Sequence, residues 1–206
     1  MNDFHDHVIQ IIIALASSGT LIVLGKWLWS IICPRLKEGG WNVRKRFLKY
    51  LETQVEIQNI FNELIEDLNS DRVILLASHN GGSTPSIQKP FYSSSILQDF
   101  RQSRIHDIPI YTNISIDAHY KRMLIQLMEE DHVTIDVGQL PQSLLKGIYE
   151  AEGIQHSFLV GIGLFQKQYL YLSVSRLDDK PFTESERNQI SMKGNAISNI
   201  LGINNR

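Results

Sequence analysis

The sequence predicts an α+β domain built on one antiparallel sheet, with the terminal helices packed on one face. Three observations predict it. Residues 73–77, Val-Ile-Leu-Leu-Ala, form a short continuous apolar run with β-branched members, the pattern of a strand buried on both faces. Residues 158–165 and 169–175 flank Gln166-Lys167-Gln168 and read as a hairpin. In its second strand Leu170, Leu172 and Val174 face one way and Tyr169, Tyr171 and Ser173 the other. A wide apolar helical stripe precedes the first strand, and Thr183-Glu184-Ser185-Glu186 is a capping box that starts a closing helix.

The 206 residues are 43% hydrophobic, enough for one core and an appendage, and the net charge of −2 provides no electrostatic case for nucleic acid. Cys33 is the lone cysteine, which excludes an internal disulfide, a cysteine metal cluster and a dithiol redox pair.

The appendage is N-terminal. Residues 8–25 carry no charge and reach about 27 Å as a helix, close to the thickness of a bilayer core. Lys26 can snorkel and Trp27 and Trp29 suit the interface, so a transmembrane helix is expected over residues 8–33. Asp3 and Asp6 in the tail, residues 1–7, argue against a signal peptide. Arg35, Lys37, Arg44, Lys45, Arg46 and Lys49 follow the span, which places the tail outside and the rest in the cytoplasm. Pro34 and Gly39-Gly40 mark residues 34–43 as a joint, and residues 44–203 as the domain. Arg44-Lys45-Arg46 reads first as a topology signal, and it is near enough to touch anionic headgroups.

The domain then proceeds in order. A helix is expected from residue 41 to 68, with Phe47, Leu51, Val55, Ile57, Ile60, Phe61, Leu64, Ile65 and Leu68 on its apolar side. After the first strand, Ser78, His79 and Asn80 arrive together and Gly81-Gly82 turns the chain. A Ser-, Thr- and Pro-rich loop leads to a second, less apolar strand at 91–97, and residues 110–112 form a short extended piece. A helix follows at 116–130, with Tyr120, Met123, Leu124, Leu127 and Met128 on one face. A strand at 132–137 ends at Gly138, and a short helix at 141–151 begins near Pro141 and stops at Gly153.

The motifs exclude more than they assign. His79, His106, His119, His132 and His156 show no ligand spacing. Ser157 sits in no Gly-x-Ser-x-Gly elbow, and Gly161-x-Gly163 lacks the third glycine and the helix of a dinucleotide loop. Arg101, Arg104 and Arg122 suit either an anion clamp or a solvated charge network.

Residues 152–158, Glu-Gly-Ile-Gln-His-Ser-Phe, resemble the Gly-hydrophobic-x-Ser step of GAF domains into a central strand. Gly161-Ile162-Gly163-Leu164 through residues 169–174 resembles the hairpin of that family, and Lys180-Pro181-Phe182-Thr183-Glu184-Ser185-Glu186 its lead into the closing helix. The resemblance covers about residues 44–203. It implies a small-molecule or chromophore sensor with a pocket between the sheet and the variable middle segment, and dimers made through the terminal helices. It also implies departures. The domain has no cysteine for covalent bilin attachment or for methionine sulfoxide reductase chemistry, and the Asn-Lys-Phe-Asp-Glu signature of cyclic-nucleotide binders is missing.

The expectation is therefore a non-catalytic, membrane-anchored, GAF-like sensory or regulatory module. Its partners would be the lipid bilayer, a small-molecule ligand and a second copy, with no nucleic acid; the residues name no cofactor and no metal. The expected contacts are His79 and Asn80 as hydrogen-bonding groups, Phe91 and Tyr92 as an apolar wall, Arg101 for charge, and Ser94 and Tyr111 beside them. Two other readings stand beside it. One is a ligand-free interaction protein, which a closed apolar pocket behind the first strand would favour. The other is a hydrolase using His79.

Overall fold

The computed structural model describes residues 20–80, 91, 93–101 and 114–203, and side chains from residue 43 onward. The chain divides into two compact units at Glu52 and Thr53. Helix α1 (Thr20–Leu68) runs through that division without a break. Residues 34–43, where a joint was expected, lie within this helix. One Pro costs a helix about 3 kcal/mol and each Gly about 1. The good helix formers around Pro34 and Gly39-Gly40 carry the helix across because propagation, unlike nucleation, is cheap.

Among the described residues no helix is long and apolar enough to cross a membrane, so the span expected over residues 8–33 is not found. The physical reason is charge: the eighteen residues that start at Thr20 already include Lys26, Arg35 and Lys37. The uncharged first half of that span, residues 8–19, lies outside the described residues, as does the tail.

Asn69, in a left-handed conformation at φ 48°, turns the chain from α1 into the sheet. Strand β1 (Arg72–His79) pairs antiparallel with β2 (Ser93–Arg101), and β3 (Ile114–Ser115) extends that side. Helix α2 (Ala118–Glu130), capped by Asp117, leads through Asp131 into β4 (His132–Asp136). A 3-10 turn at Val137–Gln139 precedes α3 (Leu144–Glu152), and β5 (His156–Phe165), β6 (Gln168–Arg176) and α4 (Glu184–Ile200) complete the domain. Among the described residues the sheet has six strands in the order β3-β2-β1-β6-β5-β4, all antiparallel.

Among the boundaries that differ from expectation, two have a clear cause. Strand β2 continues through the polar residues Gln98–Arg101, because the ladder to β1 runs to the Arg72–Arg101 pair. Helix α3 starts three residues after the expected Pro141, where the Ser143 hydroxyl accepts from the Lys146 N–H at 3.2 Å. The short piece expected at 110–112 lies outside the described residues.

Alternation sorts the two central strands between two cores. Val73, Leu75 and Ala77 of β1 join Leu170, Leu172 and Val174 of β6 under both terminal helices, against Ile57, Phe61 and Leu64 of α1 and Ile190 and Ile197 of α4. Ile74, Leu76, Tyr169 and Tyr171 point to the other face, under Tyr120, Met123 and Leu127 of α2 and Leu145 and Tyr149 of α3. At the β5–β6 bulge, a Cβ on Gly161 would lie 2.5 Å from the Tyr169 hydroxyl, so this position needs glycine for packing.

Candidate functional site

The second face encloses a cavity of about 20 Å³, room for about one water molecule. Arg72, Ile74 and Leu76 of β1, with Leu159, Tyr171 and Ser173, form its sheet wall. Tyr120 and Met123 of α2 and Leu145, Ile148 and Tyr149 of α3 cover it.

Two polar clusters meet at this cavity. The first is phenolic. Tyr171 Oη lies 2.7 Å from Ser94 Oγ, which donates to the Ala77 carbonyl at 3.3 Å, and Tyr120 Oη hydrogen-bonds to Tyr171 Oη. Burial pushes the Tyr120 hydroxyl up to about 12 and the Tyr171 hydroxyl well above its ordinary value. Both stay protonated at neutral pH, so each can donate one hydrogen bond and accept others.

The second cluster is ionic and follows from strand register. Arg101, Arg72, Ser175 and Ser157 stand in one row across β2, β1, β6 and β5. Glu152, the last residue of α3, descends onto this row. Its carboxylate pairs with Arg72 through one oxygen, and its Oε1 lies 3.4 Å from Arg101 Nη1. The Arg72 side chain is 1% exposed and that of Glu152 0%. Arg72 also donates to Ser175 Oγ at 3.1 Å and lies over the Tyr149 ring at 5.4 Å from its centroid.

The expected contact residues are placed as follows. His79 Nε2 lies 2.9 Å from Ser95 Oγ at the end of β1, and Asn80 follows it, half-buried. Phe91 packs against the second core. Ser94 is fully buried and reaches the cavity through Tyr171. Arg101 reaches it through Glu152 and also pairs with Asp99 at 3.1 Å. Tyr92 and Tyr111 lie outside the described residues. None of the five described residues is among those lining the cavity. Arg72, Tyr120, Tyr149 and Tyr171 line it and escaped sequence reasoning. The sequence places Tyr120 on the apolar face of its helix and Tyr171 on the face of its strand opposite Leu170, Leu172 and Val174, and a phenol that becomes buried there needs a partner.

A second, open hollow of about 330 Å³ lies between β4 and α4, lined by His132, Phe158, Glu184 and Arg187. Among the described residues, no group of three or more His, Cys, Asp or Glu side chains is arranged to hold a metal ion.

No protein-family model matches the sequence, and no curated protein matches it either. Solved structures do. The chain is similar to the cyanobacteriochrome receptor PixJ, at a TM-score of 0.54 and 12% identity over 74% of this chain and 97% of that one. It is similar to the blue-light-absorbing form of the PixJ GAF domain of Thermosynechococcus elongatus, at 0.56 and 12% identity over 74% of this chain and 86% of that one. It is also similar to a GAF domain/HD domain protein of Geobacter sulfurreducens, at 0.52 and 10% identity over 71% of this chain and 89% of that one. At these identities the likeness is one of fold: the domain has a GAF-like fold.

Proposed function

We propose that this GAF-like fold is a non-catalytic sensory or regulatory module, in which a small molecule at the cavity beneath α2 and α3 acts on the long helix α1. One observation carries the reading. Arg72, which lines the cavity, is the first residue of β1, and only three residues separate it from Leu68 at the end of α1. That connector is pinned. Ser70 Oγ donates to the Leu64 carbonyl at 2.8 Å, the Asp71 N–H donates to the Ser175 carbonyl at 2.9 Å, and Asp71 Oδ2 accepts from the Leu177 N–H at 2.8 Å. A displacement of Arg72 would therefore be felt at the end of α1.

The cavity is far smaller than a metabolite, so binding requires the covering side chains to move. The test is a melting-temperature screen of the full-length chain against a broad metabolite panel. A ligand at a hundred times its Kd stabilises by about 2.7 kcal/mol, roughly 5–10 °C for a domain of this size. If no compound shifts the transition, the ligand reading fails.

The small size of the cavity, and the absence of His79 and Asn80 from its lining, favour a second reading: a ligand-free module that recruits a protein partner. The hydrolase reading has one observation, the His79–Ser95 contact, which is the spacing of a base and a nucleophile. It requires ester hydrolysis that disappears in both His79→Ala and Ser95→Ala.

We also propose that the chain is membrane-anchored through the uncharged run at residues 8–25, with the domain in the cytoplasm, and that it pairs with a second copy through α1. The run and the cations after it support the anchor. A C-terminal reporter active only outside the cytoplasm would refute that orientation. For the pair, Val43, Phe47, Tyr50, Gln54, Ile57, Phe61, Leu64 and Leu68 follow the four-three spacing of a coiled-coil seam. The last four are buried, whereas Val43, Phe47 and Tyr50 are 66%, 60% and 58% exposed. Light scattering in detergent should give twice the chain mass, and the chain mass for Phe47→Glu.

A further inference from the structure

We propose that the ligand of the cavity is a small organic carboxylate, and that Glu152 holds the position on Arg72 and Arg101 that the ligand carboxylate takes. The inference rests on the sensory reading above and adds the chemical class of the ligand.

Two guanidinium groups from paired strands converge on one carboxylate and engage different oxygens of it, Arg72 one and Arg101 the other. That is how a planar two-oxygen anion is recognised. This point adjoins the cavity. Arg72 lines it, and the Tyr149 ring lies over the Arg72 guanidinium. The carboxylate and much of the cover come from one element: α3 contributes Glu152 at its end and Leu145, Ile148 and Tyr149 along its face. A single shift of α3 would withdraw the internal carboxylate and open the apolar space together. An incoming molecule would need a carboxylate for the two arginines and an apolar or aromatic body to replace Leu145 and Tyr149 against Ile74 and Leu159. Tyr120 and Tyr171, both protonated, can donate to a further oxygen on that body.

The helix is built for such a movement. It has nine residues, shorter than an independently stable helix, and is held by a serine cap at one end and Gly153 in the left-handed conformation, at φ 75°, at the other.

The experiment uses the full-length chain and benzoate, with benzamide as the uncharged isostere. Saturation transfer from the wild-type protein to benzoate, and not to benzamide, is expected. In Glu152→Ala the internal competitor is gone, so benzoate should bind at least tenfold more tightly than to wild type. At ten times its Kd it should raise the melting temperature of that variant by about 3–6 °C. Adding Arg72→Met to Glu152→Ala should abolish the effect. Absence of transfer from wild type to benzoate overturns the proposal, even where Glu152→Ala fails to fold, and so does equal transfer to benzamide. If a non-acidic metabolite instead raises the melting temperature of wild type, the carboxylate proposal falls while the sensory reading stands. If nothing binds wild type, both fall.

Discussion

Arg72 and Arg101 stand directly opposite each other on β1 and β2 and share one buried carboxylate, that of Glu152. Like charges in register repel, and the end of α3 offsets this by supplying the carboxylate that both guanidinium groups engage. Strand register thereby sets the resting position of α3.

The first prediction follows from that dependence. Glu152→Gln leaves two guanidinium groups without their shared counter-charge and should cost about 3–5 kcal/mol in urea unfolding. Arg101→Gln removes the longer and less enclosed contact while Arg72 keeps Glu152. Its cost should be smaller, about 1.5 kcal/mol. Equal costs would show that the carboxylate belongs to Arg101 as much as to Arg72.

The phenolic cluster predicts an alkaline limit. Burial raises the Tyr120 hydroxyl to about 12, against an ordinary value near 10. A raised folded-state value means that the neutral form is favoured in the fold. Its stability contribution is complete below pH 10 and is lost between about pH 10 and 12. For a shift of about two units the loss is roughly 2–3 kcal/mol, and Tyr171, raised well above its ordinary value, adds to it. Tyrosinate absorbance should therefore rise together with unfolding, and Tyr120→Phe should move the transition to higher pH. Independent titration before unfolding would count against the buried pair.

How much of this was legible beforehand depends on whether a feature is local. The alternation in β6 put Leu170, Leu172 and Val174 on one face and Tyr169 and Tyr171 on the other, and the structure places a core under each, because side-chain direction in a strand is a local property. The Thr183–Glu186 capping box is likewise local, and it forms with both of its reciprocal bonds. The end of β2 is not local: Gln98–Arg101 lacks strand character, and only its partner β1 makes it a strand. The cavity is least legible, because Arg72, Tyr120, Tyr149 and Tyr171 come from four elements. His79 and Asn80 drew notice as a polar group after an apolar run. Arg72, immediately before the same run, faces the cavity and carries the charge.

Gly194 provides a packing test. It lies in α4, where Ala is favoured over Gly by about 1 kcal/mol. A Cβ there would sit 2.8 Å from Val160 Cγ1, and Val160 is a buried core residue on β5. Overpacking a core costs about 1–3 kcal/mol, which outweighs the propensity gain. Gly194→Ala should lower the melting temperature, and the double substitution Gly194→Ala with Val160→Ala should recover part of that loss. A stabilised single variant would mean that α4 can lift from the sheet at little cost.

Arg176 joins the two ends of the domain, and its partner predicts the acid limit. Its guanidinium donates to the Leu68 carbonyl at the end of α1, at 2.6 Å, pairs with Glu186 in the first turn of α4, and lies 4.2 Å from the centroid of the Phe182 ring. Burial alone would raise the Glu186 carboxyl, but its bonds to Arg176 and Thr183 outweigh this and hold it below the ordinary carboxylate range. A depressed folded-state value means stability that is present above the unfolded value, near 4.3, and lost as pH falls through the folded one. Arg176→Ala removes a charged cap from α1 and the counter-charge from Glu186, and should cost about 1.5–3 kcal/mol at neutral pH. As pH falls through the depressed folded value the cost should shrink, because Glu186 is then protonated in the wild type as well. Hydrogen exchange separates this from general loosening. Amides at the end of α1 and in the first turns of α4 should exchange faster together in Arg176→Ala, while those of α2 keep their protection. Faster exchange in α4 alone would limit Arg176 to the capping of one helix.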